Sequence, residues 1–344
     1  MRINCYLLSS GKLQKQPAPP DWPTGEPGQL GESWFDIEDA EPEGLRRFLA
    51  PLNIHPLMLD RCADLAVVPG VISYGQAVLL EFPATFDREA EGQAYLTVVL
   101  QSPVLVTIRH GRMPAIDDLM QSLLEEKAPS LSHLVQIVYL ILDHLTDLSV
   151  QAQTEVRDQI LRMAKILNED PGAVHAGDLT KLRWQVDKLV SLIENQLYCI
   201  AGLNASDNAA LLEPHRKAYI QDLASEVEIA QRGIYRLEAR VNDLHSYYQM
   251  AGSDRVEKRL RILTIVSAIT LPLGLIAGLL GMNVGGLPGS KFSSGFMIVI
   301  ALMVAIAAVE LWHFKRNGWF DEWALAAVRR ASKLSGFGSH HALG

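Results

Sequence analysis

Six uncharged residues recur at steps of three and four, which places them on one face of a helix. They are Leu260, Leu263, Ser267, Leu271, Gly274 and Gly278, and the triplet Gly281-Met282-Asn283 follows them. A hydroxyl, an amide and glycine carbonyls can meet a cation or its bound water, and leucine rings can gate by dewetting. The pattern favours an ion pathway, with Gly281, Met282 and Asn283 at its mouth.

Other roles for the same residues stay open. Gly274 and Gly278 also fit a small-xxx-small packing seam between membrane helices. A seam and a pore face are compatible in an oligomer. Asn283 also suits the C-cap of a helix, where asparagine tolerates the left-handed conformation.

All of this face except Leu260 lies within the first of two apolar segments. No Asp, Glu, Lys, Arg or His occurs from Ile262 to Ser290, and a second uncharged run extends from Phe292 to Val309, with Glu310 just after it. A helix needs about 20 apolar residues to cross a bilayer. We therefore expect a membrane hairpin in contact with lipid, with spans at 260–282 and 296–314 joined by an external loop at 283–295.

Basic residues predict the orientation, because short loops rich in Lys and Arg stay in the cytoplasm. Four precede the first span, Lys315 and Arg316 follow the second, and the loop carries only Lys291. Both termini, including a basic tail at 315–344, are expected on the cytoplasmic side of the cytoplasmic (inner) membrane. The first thirty residues do not resemble a signal peptide.

The net charge of the chain changes sign near the start of the first span. Residues 1–259 hold 36 acids and 24 bases, whereas residues 260–344 hold 3 acids and 7 bases. An acidic cytosolic domain attracts cations and repels nucleic acid, although this balance is also ordinary for a soluble domain. Cys5, Cys62 and Cys199 form no CxxC pair, so we expect them to be core residues.

The cytosolic part is predicted to be an α+β subdomain at 1–130 and a helical stalk region at 131–259. Apolar runs indicate strands at 65–68, 76–82, 95–100 and 104–109, and helical patterns occupy 43–49 and 115–126. The proline-rich segment 16–31 is expected to be a loop. Helical spacing then dominates from Ser130, with a break at Asp170-Pro171-Gly172.

A final long helix is predicted to begin after Pro214 and to run without interruption into the first span. Gly233 and Gly252 lower helix propensity without ending a helix that is supported by packing. About sixty residues would span roughly 90 Å. Because such a helix cannot bury its own apolar stripe, we expect pairing with neighbouring helices and oligomerisation.

The two C-terminal spans, the long helix before them and Gly281-Met282-Asn283 resemble the CorA-type divalent-cation transporters. The continuation Val284-Gly285-Gly286 is more similar to the ZntB-like zinc-transporting branch than to the magnesium branch. The resemblance implies a funnel-shaped homopentamer whose central pore is lined by the first span. It also implies that five Asn283 amides hold the hydration shell of the ion, and that Zn²⁺ is the substrate.

Some features depart from the family pattern or leave its chemistry open. Lys291 stands in a loop that carries acids in relatives, and Trp323 to Leu334 suggests an interfacial helix. The first span holds no ordinary zinc ligand, so the ion is expected to pass largely hydrated, with poor discrimination among Zn²⁺, Mg²⁺, Co²⁺, Ni²⁺ and Cd²⁺. Weak candidates for a metal site outside the pore are His175, Asp178, His245 and Glu310.

Two other functions are compatible with the same sequence. One is a magnesium, cobalt or nickel channel of the same family, and the other is a membrane-anchored cytosolic adaptor. The sequence shows no catalytic set of nucleophile, base and orienting group, and no nucleotide-binding loop. It therefore predicts neither an enzyme nor a bound cofactor. Transport direction and proton coupling stay open, with Glu310 or a cytosolic histidine as the proton carrier if coupling exists.

Overall fold

The structure is a computed structural model that describes residues 1–17, 31–64, 67–84, 94–110, 113–125, 130–208, 214–282 and 295–319. The chain forms two compact units, Met1–Ser246 and Tyr247–Gly344. The first contains a sheet with helices on both faces, and the second contains two apolar helices.

A seven-stranded sheet organises the first unit. Its strands are β1 (Arg2–Ser9), β2 (Lys12–Gln16), β3 (Ser33–Glu38), β4 (Gly70–Tyr74), β5 (Ala77–Pro83), β6 (Tyr95–Gln101) and β7 (Val104–His110). Their order across the sheet is β2-β1-β3-β7-β6-β5-β4. Only the β3–β7 pair is parallel among the described strands, with Asp36 opposite Thr107. The antiparallel hairpins need short connections, whereas the parallel pair requires a crossover.

Two short helices cover one face of the sheet. They are α1 (Pro42–Leu49) and α2 (Pro56–Ala63), separated by a 3₁₀ turn at Ala50–Leu52. Because side chains alternate along a strand, Phe35 and Ile37 of β3 point to this face. They pack with Phe48 of α1 and Met58 of α2 in one buried cluster.

The longer helices pack on the opposite face. They are α3 (Pro114–Leu124), α4 (Leu134–Glu169), α5 (Ala176–Asn204) and the first half of α6 (Pro214–Leu280). Their apolar stripes form one cluster with Trp34 of β3 and Leu80 of β5. The stripe of α6 contributes Ile220, Leu223, Val227, Ala230, Ile234, Leu237 and Val241 to this core.

The uninterrupted final helix is confirmed. Helix α6 contains 67 residues, which corresponds to about 100 Å at 1.5 Å per residue. Gly233, Gly252 and Pro272 all lie inside it. The rest of the second unit is α7 (Gly295–Arg316), so the two apolar segments are both helical.

Three strands of the first unit were missed, and one was placed wrongly. Val67 and Val68 are not in a strand, because the chain enters β4 only at Gly70, after Pro69. The strand was predicted at 65–68 because this run before Pro69 is apolar, whereas β4 is short and lies at the edge of the sheet. Strands β1, β2 and β3 carry mixed polar and apolar residues, which hides their period. Most of the proline-rich segment 16–31 lies outside the described residues.

A buried charge network fixes β3, β7 and α3 together. The Arg109 guanidinium donates from Nε to Asp36 Oδ1 at 3.0 Å and from Nη2 to Asp36 Oδ2 at 2.8 Å, which is bidentate pairing. Thr107 Oγ1 also donates to Asp36, and it accepts from Trp34 Nε1 at 3.0 Å. Asp117 of α3 pairs with Arg109 from the other side. The adjacent carboxylates raise the pKa of Arg109 despite its burial.

The three cysteines are buried, as predicted for core residues. Desolvation by burial raises the pKa of each thiol, to about 12 for Cys62 and Cys199. Because the thiolate is the nucleophile, these side chains are unreactive at neutral pH.

Replacing Arg109 with Leu is expected to destabilise the protein by about 3–5 kcal/mol, because Asp36 would be left charged, buried and unpaired. The measurement is chemical denaturation of the detergent-solubilised protein, followed by far-ultraviolet circular dichroism. The double variant Asp36→Leu/Arg109→Leu should recover much of the loss. Arg46→Leu is the control, since the Arg46–Asp60 pair is exposed and such pairs contribute at most about 1 kcal/mol. Equal losses at Arg46 and Arg109 would contradict the importance of the network.

Candidate ion pathway

Two helices of the second unit are long and apolar enough to cross a membrane. The most apolar windows of α6 and α7 each have a mean hydropathy of 2.2, and neither window is buried within the chain. A soluble helix with such a surface would be buried in a core. The exposed apolar surface fits the predicted pair of membrane spans.

One stripe of the first span is partly covered and the opposite stripe is open. Ile265, Ala268, Pro272 and Ile276 are partly covered and recur at helical spacing. At 100° per residue, the six predicted pore-lining residues lie on the other side of the helix. All six are exposed, including Leu263 at 61% and Leu271 at 73%. The helical spacing is therefore present, and the open face is free to line a channel or meet another copy.

The hydroxyl groups of the first span differ in what they bind. Thr264 Oγ1 donates to Leu260 O at 2.9 Å, and Thr270 Oγ1 donates to Val266 O at 2.7 Å, both within the helix. Ser267 is exposed, and its hydroxyl has no hydrogen-bond partner among the residues that the structure describes. Ser267 is thus the hydroxyl on this face that is available to water.

The glycines of the span have open surroundings. A Cβ added at Gly274 or Gly278 would meet no other atom within 4 Å. No helix of the same chain, in its described part, packs closely on them, so a small-residue seam at these positions would need another copy. At Gly281 the N–H donates to Ala277 O at 2.9 Å, and an added Cβ would lie 3.1 Å from that oxygen.

The predicted pore mouth is described only in part. Gly281 and Met282 follow the last residue of α6, and Met282 is 53% exposed. Asn283 and Lys291 lie outside the described residues, as does the tail from Trp323. Their roles stay predictions.

Glu310 lies on the partly covered stripe of the second span. The stripe repeats at Val299, Met303, Ile306, Glu310 and Phe314. Glu310 Oε2 is shielded from solvent and has no hydrogen-bond partner in the described part of the chain. No ion pair joins Glu310 to Lys315 in the residues that the structure describes. A lone carboxyl group inside a membrane segment is a functional candidate.

The weak metal candidates of the cytosolic part do not gather. His175 precedes α5 and its carbonyl accepts from the Asp178 N–H at 3.1 Å, whereas His245 lies in α6. Within the described ranges, no three His, Cys, Asp or Glu side chains are grouped to hold a metal ion.

An acidic seam between α4 and α6 was missed by the sequence analysis. Asp143 and Asp147 lie one turn apart on α4, and they face Asp222 and Glu226, one turn apart on α6. Desolvation and these neighbours raise the pKa of Asp143 and of Glu226. Tyr139 donates to Asp222 at 3.4 Å, and burial with the nearby acids raises the pKa of Tyr139 to about 12. The i, i+4 pairs are visible in the sequence, but their meeting depends on which helices pack together.

The family model described as "CorA-like Mg2+ transporter protein" matches residues 31–316. The zinc transport protein ZntB of Yersinia enterocolitica is 23% identical over 83% of this chain and 87% of its own length. The divalent cation transporter CmaX of Pseudomonas aeruginosa is 22% identical with the same coverage. The structure of the CorA magnesium transporter from Methanocaldococcus jannaschii superimposes with a TM-score of 0.78 at 18% identity, over 93% of this chain and 99% of that one.

A sheet domain, a long helix that ends in the first apolar span and a second apolar helix are the elements of a membrane transporter with a cytosolic N-terminal domain. The chain belongs to the CorA-like family, in which it resembles the ZntB-like branch. It is a transporter of divalent metal cations and not an enzyme. The predicted family, fold and membrane localisation are confirmed.

The acidic seam predicts a pH-dependent effect of Asp143→Asn. A raised pKa means that the folded protein holds the proton more tightly than the unfolded chain, so ionisation of Asp143 destabilises the fold as pH rises through that pKa. The variant should be more stable than the wild type near pH 7, by about 0.5 kcal/mol or less given partial exposure. The gain should vanish near pH 3, where the wild-type carboxyl is protonated.

Chemical denaturation between pH 3 and pH 8 measures this difference. Asp158→Asn on the same helix is the matched control, because Asp158 is exposed and lies beside Arg157. A gain at Asp143 that does not change with pH would contradict the electrostatic explanation.

Proposed function

We propose that the chain is a zinc-preferring member of its family that takes Zn²⁺ into the cytoplasm. The transport unit is a homopentamer in lipid, and the first span of each copy lines a central pore. Zinc as the substrate is supported by the ZntB relative. The pentamer is supported by the resemblance in sequence motifs and by the open face of α6.

The observation that carries the proposal is this uncharged open face, which extends from Leu260 to Gly278. A cation that loses its water needs negative or neutral ligands at close range, and zinc prefers Cys, His and carboxylates. The face offers only a serine hydroxyl, backbone carbonyls and apolar side chains. A largely hydrated ion fits this surface, with the leucine rings acting as constrictions.

A pore of this chemistry discriminates weakly among divalent ions of similar charge. Mg²⁺ holds its water strongly and is also compatible with passage as a hydrated ion. A magnesium, cobalt or nickel channel of the same family is therefore the second candidate, and the family description favours it. The anchored adaptor is set aside, because the chain belongs to a family of transporters.

Asn283 is proposed as the selectivity residue at the outer mouth. Five converging amides would offer carbonyl oxygens to the water of an approaching cation. A ring of Lys291 ammonium groups would oppose cation entry if it faced the pore. Gly281 permits close approach of neighbouring helices, and Met282 packs behind the amides.

Replacing Asn283 with Ala is expected to abolish most Zn²⁺ flux, because the mouth would no longer hydrogen-bond the hydration shell. The measurement is uptake into proteoliposomes that contain purified protein and a zinc-sensitive dye. Asn317→Ala is the matched control, since Asn317 follows α7 and bonds to His313 within the same helix end. Full flux in the Asn283 variant would contradict the pore-mouth assignment.

The same vesicles decide the substrate. Zn²⁺ flux that exceeds Mg²⁺ flux at equal concentration supports the zinc assignment, and the reverse order moves the protein to the magnesium branch. No flux of any divalent ion from a confirmed oligomer would overturn the transport proposal.

Glu310 is proposed as the proton carrier if transport is coupled to protons. Its shielded and unpartnered Oε2 is able to take up a proton without breaking an ion pair. We expect an inward proton gradient to stimulate Zn²⁺ uptake by the wild type and not by Glu310→Gln. Flux without a gradient should be similar in both. His313→Gln is the control for a second titratable group on α7, and equal stimulation of the wild type and Glu310→Gln would contradict the assignment.

A further inference from the structure

A cleft between α4 and α6 in the first unit lies outside the pathway described above. Its volume is about 570 Å³. Ligand sites in proteins commonly have volumes of about 300–1,000 Å³. Acidic side chains, arginines and apolar side chains line it, among them Glu226, Arg236 and Ile229.

The two helices run parallel along this cleft. Gln136 of α4 bonds to Tyr219 of α6, and seventeen positions later Gln153 Nε2 donates to Ala230 O at 3.2 Å. Gly233 makes room for this bridge, because a Cβ there would overlap the Gln153 amide nitrogen. The parallel direction separates the charges, so that the acids Asp147 and Glu226 lie at one end.

Three arginines lie at the other end of the cleft. Arg236 and Arg240 are one turn apart on α6, and Arg157 projects from α4. Neither Arg236 nor Arg240 forms an ion pair with any side chain in the described ranges, and Arg157 has only a loose pair with Asp158 at 3.9 Å. In a segment with more acids than bases, three arginines of which only Arg157 has a carboxylate nearby mark a local site for an anion.

The rest of the cleft indicates what the anion is attached to. A phosphate group alone is much smaller than this volume. Val150, Ile229 and Leu237 provide an apolar wall, and Ile229 is 60% exposed. The carboxylates of Asp147 and Glu226 and the side chain of Thr154 can accept hydrogen bonds from amino or hydroxyl groups.

We propose that this cleft binds a phosphorylated small molecule of the nucleotide class. The guanidinium groups of Arg157, Arg236 and Arg240 hold the phosphates, because their planar donors match phosphate oxygens. The organic part lies against the apolar wall, with its donors directed to the acidic end. The ligand then bridges α4 to the helix that continues into the first span.

Isothermal titration calorimetry with the full-length protein in detergent tests this site. The probes are ADP, inorganic pyrophosphate and adenosine, each with EDTA present so that no metal bridges the phosphates. We expect saturable ADP binding, weaker pyrophosphate binding and no binding of adenosine alone. ADP binding should also weaken as salt is raised.

The double variant Arg236→Gln/Arg240→Gln is expected to weaken ADP binding about tenfold or more, because charge-assisted hydrogen bonds to phosphate are lost. Arg232→Gln is the matched control, since Arg232 lies on the same helix outside the cleft lining and pairs with Glu228. Thermal melting confirms that each variant is folded.

Three results would overturn the proposal. ADP affinity that is equal in the wild type and the double variant would exclude the arginines as the phosphate site. Equal binding of ADP and pyrophosphate would exclude a role for the organic part. Loss of the oligomer in the double variant, with no anion binding to the wild type, would assign the arginines to contacts between copies.

Discussion

The continuity of α6 over 67 residues is the constraint on which the rest of the structure depends. Its first half shares one core with β3, β5 and α4, whereas its last part has apolar residues on all sides. The same helix therefore packs in a protein core at one end and has an apolar surface at the other. Its side chains change along its length, whereas its backbone stays helical. Gly233 is tolerated because the neighbouring residues Ala230 and Ile234 pack in the core and supply the stability that propensity does not.

Strong periodicity explains which parts of the fold could be predicted. The long helices have apolar residues at three- and four-residue steps over many turns, so their positions follow from the sequence. Strands of five to eight residues carry less information, and β4 is also preceded by Val67 and Val68, which are apolar and not in a strand. Burial on both faces removes alternation from β5, which reads as a continuous apolar run.

The functional residues also include some that could be predicted from the sequence and some that could not. Residues of the first span share a face because a helix fixes their angles, and this follows from spacing alone. The acidic seam and the arginine cleft depend on the parallel arrangement of α4 and α6, which no local pattern encodes. Asp36 and Arg109 are 73 positions apart, and their pairing follows from the crossover that makes β3 and β7 neighbours.

The burial of all three thiols has a practical consequence for studies of the membrane helices. Cys5, Cys62 and Cys199 are inaccessible and protonated at neutral pH, so maleimide and methanethiosulfonate reagents should leave the native protein unmodified. A single cysteine introduced on the exposed face of α6 would then be the one reactive position. The natural sequence is already a background for site-directed spin labelling, without removal of any native residue.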